Sequence, residues 1–291
     1  MIDRQAVAQL FRDTQDRIVE ALTRLGGEAF TEETWDRPGG GGGRSRALQD
    51  GRIFERAGVN FSEVHGELSE ATAHGMPGSG RAFYATGVSL VIHPRNPYAP
   101  TAHANFRFFE KGDAAWFGGG ADLTPYYLFE EDARHFHGVW RAACDRHDKA
   151  HYPAFKKTCD DYFLLQHRGE RRGVGGIFYD YLQGDRAAGL ALSADLASQF
   201  VAAYLPLVER RHTTPYGERE RRWQLLRRGR YVEFNLIYDR GTLFGLRTDG
   251  RVESILMSLP PLVRFEAAPD PDAGSDEGRL LAVLRQPREW A

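Results

Sequence analysis

The sequence predicts a single α+β domain, residues 1–291, with a large, mainly antiparallel β-sheet flanked by helices on both faces. Strand-like segments cluster in the middle of the chain, turns rather than regular helical crossovers join them, and amphipathic helical patterns lie on either side. No internal repeat or long linker divides the chain, and its length is enough to bury an extensive core.

The chain begins with a helical pattern over residues 4–25. Apolar side chains recur on one face, and the pattern ends at Gly26 and Gly27, which is typical of an amphipathic helix with a glycine stop. The recurring positions are Val7, Leu10, Phe11, Ile18, Leu22 and Leu25.

Residues 82–93 and 103–109 are rich in aromatic and β-branched residues, and the proline-containing segment PRNPYAPTA joins them. This composition predicts two strands connected by a turn. The segment WFGGGADLTPYY, residues 116–127, follows as a glycine-containing strand or as a bulge or turn.

The second half of the chain is predicted to be mostly helical, with two further strand regions. GVGGIFYDYL, residues 173–182, is typical of a loop entering a strand, and residues 230–247 resemble a hairpin around Asp239 to Gly241. Helices are predicted around 130–147, near 153–168, over 190–211, before Pro260 and Pro261, and at the carboxyl end.

Charge and composition exclude several functional classes. The net charge of −2 gives no global attraction to nucleic acid or membrane, and no apolar run has the length of a secretion signal or a membrane span. We therefore expect a cytoplasmic protein. Arginine greatly outnumbers lysine, which suits carboxylate binding but also follows from codon bias. The arginine-rich segment 217–230 contains glutamates and a helical pattern, so a solvated helix is favoured over an RNA-binding one.

Cys144 and Cys159 have no metal or redox spacing and are expected to be buried free thiols. The two glycine-rich segments, 38–46 and 116–127, match neither the Walker nor the dinucleotide pattern. Phosphate binding is therefore not predicted for either segment.

Alternation along HANFRFF places His103, Asn105 and Arg107 on one face of a strand and the apolar residues on the other. Ser89 and His93 share a face of the preceding strand, so a hairpin would align all five side chains. Such a row suits a polar ligand lying on a sheet, although an exposed sheet face also favours polar residues.

Gly118, Gly119 and Gly120 would leave a flat floor, with Asp122 at its end, for a bulky planar ligand. His137 and His167 lie on apolar helix faces, where a hydrogen-bonded core histidine is the commoner role. With His93 and His103 they form a candidate divalent-metal set, but their spacings match no compact zinc motif.

Several long segments in order resemble the oxygen-dependent coproporphyrinogen III oxidases of haem biosynthesis, over residues 26–265. The segments are GGGGGRSR, FERAGVNFSEVHG, GVSLVIHPRNPYAPTAHANFRFF, WFGGGADLTPYY, HRGERRGVGGIFYDYL and RGRYVEFNLIYDRGTLFGLRTDGRVESILMSLPP. The resemblance implies oxidative decarboxylation by O2 of two propionates of coproporphyrinogen III, on rings A and B, to vinyl groups. The product is protoporphyrinogen IX.

The resemblance also implies roles for particular residues. It implies that His103 and Asp122 are catalytic and that His93, His103, His137 and His167 bind a divalent metal, which this chemistry does not require. The implied substrate contacts are Ser89, Asn105, Phe106, Arg107, Asp249, Gly250 and Arg251. Asp122 is expected to accept a pyrrole N–H bond, so that Asp122→Ala would lower turnover with little loss of folding.

The family is homodimeric, and residues Tyr231 to Glu266 match its dimerisation region. No organic cofactor is expected, because reduced pyrroles are electron-rich enough to react with O2 directly. The family's turn before the tryptophan is shortened here to EKGDAA, and Asp249 is expected to point away from an anionic substrate. Two alternatives are a non-catalytic tetrapyrrole carrier and a metal-dependent hydrolase that uses the four histidines.

Overall fold

The computed structural model describes residues 2–247, 251–267 and 269–291. In chain order the elements are α1 (Arg4–Gly26), β1 (Thr31–Asp36), β2 (Gly41–Gln49), β3 (Phe54–Glu67), α2 (Glu70–His74), β4 (Ala82–Pro94), β5 (Thr101–Lys111), β6 (Ala114–Thr124), α3 (Glu130–Asp145), α4 (His151–Tyr162), β7 (Leu164–Leu165), β8 (Glu170–Arg171), β9 (Gly176–Leu182), α5 (Arg186–Arg211), α6 (Glu218–Ile237), α7 (Arg240–Arg247), α8 (Val252–Leu256) and α9 (Asp276–Arg285).

Seven strands form one antiparallel sheet in the order β1-β2-β3-β4-β5-β6-β9. The first six pair with their neighbours in sequence, as antiparallel strands joined by short connections do. β9 returns to the β6 edge after α3 and α4, and β7 pairs only with β8. The predicted α+β class with an antiparallel sheet is confirmed.

One face of the sheet, here called the core face, packs against helices. Ala104, Phe106 and Phe108 of β5 point to it and are fully buried, and Phe106 packs near Trp140 of α3 at a ring-centroid distance of 6.5 Å. Helices α1 and α5 contribute to the same apolar cluster. Burial of this cluster is the main source of the sheet's stability.

The opposite side, here called the polar face, carries the alternate residues of β5. Helix α6 and the segment around α8 contact this side, where the ring of Tyr231 lies 5.3 Å from that of His93 and Met257 packs over Gly58. Helices therefore lie on both faces, as the sequence predicts.

The predicted first helix is α1. Asp3 caps its first turn by accepting a hydrogen bond from the Gln5 N–H at 2.9 Å. Gly27 ends the helix with a φ of 86°, a left-handed conformation that glycine adopts without the steric cost of a side chain.

Helix α5 has the length and apolar composition of a membrane-crossing helix, with a mean hydropathy of 1.3 in its most apolar window. In the structure Leu196, Phe200 and Tyr204 of this helix are fully buried against the rest of the chain. Packing in the core accounts for its apolar character, and length and composition alone do not indicate a membrane span.

The predicted hairpin at residues 230–247 is wrong, because this segment forms the end of α6 and all of α7. Its aromatic and β-branched residues resemble strands, yet Tyr231, Phe234 and Asn235 are buried at helical spacing. The side chain of Asp239 accepts hydrogen bonds from the N–H and the hydroxyl of Thr242, both at 2.8 Å. The supposed turn residue therefore caps the start of α7.

The predicted helix at 217–230 is confirmed as part of α6, but it is not a solvated helix. Arg228 is fully buried and donates to Glu55 at 2.6 Å, and Arg227 donates to Glu170 at 2.7 Å. Buried arginines of this kind need a carboxylate partner, which a local charge pattern does not reveal.

The predicted helix at 153–168 ends earlier than expected, at Tyr162, and the short β7–β8 pair follows. His167, expected to point inward, is therefore exposed. Cys144 and Cys159 are buried free thiols, as predicted.

Candidate active site

The sheet register brings the predicted polar residues together. Ser89 of β4 lies opposite Asn105 of β5, and Asn105 lies opposite Gly120 of β6. Two residue pairs further along, and therefore on the same face, His103 lies opposite Asp122. The row predicted from strand alternation is therefore present on the polar face.

Glycine lies in the sheet where a side chain would cover this row. Gly118 faces Arg107 across the β5–β6 pair, and Gly120 lies beside Asn105. Gly119 points the other way, since an added Cβ there would lie 2.9 Å from the Phe106 ring and from the Tyr179 hydroxyl in the core. All three glycines are buried: Asp180 and Arg107 lie directly over Gly118 and Phe178 lies over Gly120, so the predicted flat floor is covered by side chains, and each glycine permits close packing instead.

Asp122 lies at the centre of a buried ion pair. The Nη2 atom of Arg172 donates to both carboxylate oxygens at 2.9 Å, and its Nη1 atom donates to Asn235 at 2.6 Å. The side chains of Asp122 and Arg172 are only 1% and 2% exposed. Phe163 and Tyr231 flank the guanidinium, with ring centroids 4.1 and 4.5 Å from its Cζ.

His103 covers this ion pair and is its link to the open part of the face. Its Nδ1 lies 2.8 Å from Asp122 Oδ1, and its side chain is 21% exposed. Burial disfavours the charged form of Asp122, but the Arg172 charge and the His103 hydrogen bond together lower the pKa of the carboxyl.

The ionised carboxylate of Asp122 can only accept, so Nδ1 of His103 carries the proton. In the neutral ring, Nε2 is then the atom free to exchange a proton with a ligand.

These contacts correct the expectation that Asp122 binds a substrate N–H directly. With 1% of its side chain exposed, Asp122 lies beneath His103, and a ligand on the polar face meets the imidazole first. The geometry assigns Asp122 a supporting role, in which it fixes the tautomer and orientation of His103.

Arg107 is an accessible cation of the face, with 30% of its side chain exposed. It donates to Asn105 Oδ1 at 2.8 Å, and its Nη2 lies 2.9 Å from Oδ1 of Asp180 in β9. Asn105 therefore holds the guanidinium in place while Arg107 remains within reach of a ligand carboxylate.

Of the other predicted substrate contacts, Ser89 is partly exposed on the polar face. Phe106 requires a correction, because its fully buried side chain lies on the core face and a ligand on the polar face can meet only its backbone. Asp249 and Gly250 lie outside the described residues.

Arg251 lies on the same side of the sheet as the polar row. It pairs with Glu33 at 2.6 Å, and Glu33 lies opposite Ser45 in the β1–β2 register. In the same segment, Ser254 accepts a hydrogen bond from Asn60, the residue opposite Ser89. Arg251 therefore lies on the β1 side of Ser89, whereas Arg107, on β5, lies on the other side of Ser89.

The four predicted metal ligands do not form a metal site. Within residues 2–247, 251–267 and 269–291, no group of three His, Cys, Asp or Glu side chains is arranged to hold an ion. His93 contacts Thr101 and the Ser258 carbonyl; His137 contacts Tyr152 and the Val174 carbonyl; His167 contacts Tyr238 and Glu233. Both ring nitrogens of these three histidines are occupied by protein partners.

Burial supports the same conclusion for two of them. Burial lowers the pKa of His137 to about 3 and that of His93 well below its ordinary range, so both rings are neutral. His137 therefore has the role of a hydrogen-bonded core histidine, the alternative named from its place on an apolar helix face.

A separate cavity of about 600 Å³ opens where α1 and β4 begin and β3 and β5 end. Arg4, His65, Phe83, Tyr84 and Glu110 contribute to its lining. Arg4 and Glu110 pair with each other at 2.6 Å, so the main charges of this cavity satisfy one another.

Sequence reasoning missed Arg172, Asn235 and Asp180. Arg172 lies in a loop after β8, where no periodicity distinguishes it from its neighbour Arg171, and Asn235 lies in the segment taken for a hairpin. Asp180 was detectable, because alternation within GIFYDYL places it on the same side as Phe178 and Gly176.

Comparison with known proteins gives two matches. The family model described as coproporphyrinogen III oxidase matches residues 6–290. A curated protein of Parasynechococcus marenigrum (strain WH8102), the oxygen-dependent coproporphyrinogen-III oxidase, is 52% identical over 305 aligned residues. That alignment covers 95% of this chain and 84% of the relative.

Proposed function

The chain belongs to the coproporphyrinogen III oxidase family, and from that premise we propose that the polar face around His103 is its active site. The protein carries out the oxygen-dependent oxidative decarboxylation of coproporphyrinogen III in haem biosynthesis. The observation that supports the proposed location is the buried Asp122–Arg172 pair beneath a partly exposed His103.

The reaction needs placement and proton transfer more than it needs a cofactor. Each propionate, CH2–CH2–COO⁻, becomes a vinyl group and CO2, which releases one proton and two electrons. O2 accepts the electrons, and the reduced pyrrole is electron-rich enough to supply them. We therefore propose no organic cofactor, and the histidines provide no metal site through which a step would pass.

Arg107 on β5 and Arg251, which pairs with Glu33 of β1, are suited to holding substrate carboxylates at two places along the polar face. A guanidinium binds a carboxylate through directed, charge-assisted hydrogen bonds, and a second such contact restricts rotation of the macrocycle. Asn105 already holds Arg107 at 2.8 Å, so little ordering remains for the substrate to impose. The partly exposed side chains of Ser89 and Asn105 leave this part of the polar face accessible to the macrocycle.

His103 is the group placed to move a proton. Its Nδ1 donates to Asp122, so Nε2 faces the ligand side and can take the proton released as the vinyl group forms. Arg172 keeps Asp122 ionised throughout, and the hydrogen bond from Nδ1 to a carboxylate stabilises an imidazolium when one forms.

We also propose that the protein acts as a homodimer through residues 231–266. Of the nine large hydrophobic side chains exposed in the described residues, seven lie in this segment. They are Leu236, Ile237, Phe244, Leu246, Val252, Leu262 and Phe265. Such a concentration is typical of an interface. A sedimentation mass near 32.8 kDa, that of one chain, would contradict this proposal.

The function is tested by incubating the protein with coproporphyrinogen III in air and under argon, before and after exhaustive chelation. We expect vinyl product and CO2 only in air, at the same rate after chelation. Binding without product in air would favour the carrier alternative. Loss of activity on chelation, restored by a divalent ion, would favour the metal-dependent alternative.

Arg107→Ala is expected to raise KM by roughly tenfold to a hundredfold, which is the effect of losing one or two charge-assisted hydrogen bonds to a carboxylate. The effect on kcat should be smaller, because Arg107 is not the proton-transfer group. Steady-state kinetics measure both constants.

The matched control is Arg146→Ala, which removes an arginine paired with Asp195 away from the polar face. Its KM should stay at the wild-type value. An unchanged KM in Arg107→Ala would mean that this arginine does not hold a substrate carboxylate.

A further inference from the structure

A backbone irregularity in β9 begins at Asp180, whose carboxylate lies beside Arg107. The β6–β9 register pairs Phe117 with Leu182 but Gly119 with Tyr179. Two residues, Asp180 and Tyr181, therefore lie opposite the single residue Gly118, which defines a β-bulge.

The bulge carries a local conformational cost. Tyr181 has a φ of 53°, a left-handed conformation that is uncommon for a bulky side chain. Its ring is 41% exposed, so burial of this side chain gives little compensation. Bulges are frequent beside active sites, and here the extra residue, Tyr181, directly follows Asp180.

Two arginines from different elements converge on that carboxylate. Nη2 of Arg107 lies 2.9 Å from Oδ1, and Nη2 of Arg240, at the start of α7, lies 3.9 Å from Oδ2. The Arg240 guanidinium also stacks on Tyr162, with its Cζ 4.9 Å from the ring centroid. This arrangement is the one expected around a bound carboxylate ligand.

Gly118 makes the arrangement possible. An added Cβ at Gly118 would lie 2.8 Å from Asp180 Oδ1 and 2.9 Å from Arg107 Cζ, so a side chain there would displace the ion pair. The space that the missing side chain of Gly118 leaves is thus where Arg107 and Asp180 meet.

We propose that Asp180 is a specificity-determining residue that occupies, in the free protein, the carboxylate position between Arg107 and Arg240. A substrate propionate must displace it or share the arginines with it. Ligands whose carboxylates make only weak contacts are then excluded, and the arginines are not left unpaired before the substrate arrives. The inference rests on the proposed function of the polar face and assigns Asp180 a part in it.

The test is the affinity of Asp180→Asn for oxidised coproporphyrin III, measured by fluorescence titration. This porphyrin keeps the carboxylates but lacks the reduced pyrroles, so binding is measured without turnover. Asparagine keeps the shape of aspartate and removes its charge. We expect Kd to fall by roughly tenfold at low salt and by less at high salt, because a like charge has been removed beside the ligand.

Asp195→Asn is the matched control. Asp195 is also paired with an arginine, and its side chain is 22% exposed against 19% for Asp180, but it lies in α5. Its Kd should equal that of the wild type. When Arg107→Ala is already present, Asp180→Asn should raise the affinity for the porphyrin by less than it does in the wild type, because competition for Arg107 is already absent.

An equal or weaker affinity in folded Asp180→Asn would overturn the proposal, because Asp180 would then position Arg107 or bind the ligand itself. If Asp180→Asn does not fold, Asp180→Ser provides the same comparison without the charge. Failure of the proposed function has a different signature, in which the wild-type protein neither converts coproporphyrinogen III in air nor binds the porphyrin.

Discussion

Asp122→Ala should lower the free energy of unfolding by about 3–5 kcal/mol, the cost of leaving the buried Arg172 charge without its partner. The same change should lower turnover by orders of magnitude, because His103 loses the acceptor that fixes its Nδ1 proton. Because Asp122 and Arg172 are buried together, we now expect a larger effect on folding than the sequence alone suggested. Asp122 is 1% exposed and supports the interior as well as the site.

Asp122→Asn separates the two effects. The amide fills the same space and can still accept from one neighbour, so the folded fraction should be higher than in Asp122→Ala, whereas turnover should remain low. Urea denaturation measures the free energy of unfolding, and kcat determined on the folded fraction measures turnover. Glu170→Ala is the control, since it breaks the buried pair with Arg227 and should cost stability without a comparable loss of kcat. Wild-type turnover in folded Asp122→Asn would remove Asp122 from the mechanism.

His103→Ala should lower kcat by about 10²–10⁴-fold, the usual contribution of a positioned general acid or base. Its stability should change little, because the side chain is partly exposed and the Asp122–Arg172 pair remains intact. KM should be nearly unchanged, since carboxylate binding is assigned to the arginines.

His135→Ala is the control for this change, because His135 is a partly exposed histidine of α3 whose Nε2 lies 2.9 Å from the Ala202 carbonyl. It should have wild-type kinetics. If kcat of His103→Ala fell by less than threefold while the fold was retained, proton transfer would have to be assigned to another group.

The polar row on β5 was predictable because it depends on a local rule. A strand alternates its side chains, so HANFRFF alone separates His103 and Arg107 from Phe106. The same alternation places the ring of Phe106 on the core face. The resemblance implied that Phe106 contacts the substrate, but its ring cannot do so from that face.

The partners of that row were not predictable, because they depend on contacts between distant segments. Arg172 lies 50 positions from Asp122 in the sequence, and a run of two arginines carries no signal of which one is buried. Segment 230–247 illustrates the opposite difficulty. Its residues favour strands, yet burial of Tyr231 and Phe234 on one helical face outweighs that preference.

The location of the active site is tested most directly by a crystal structure of the protein with oxidised coproporphyrin III. We predict the macrocycle on the polar face, over Ser89 and Asn105, with one carboxylate at Arg107 and the ring system within reach of His103 Nε2. Occupancy of the cavity lined by Arg4, His65 and Glu110, with the polar face left free, would contradict the account.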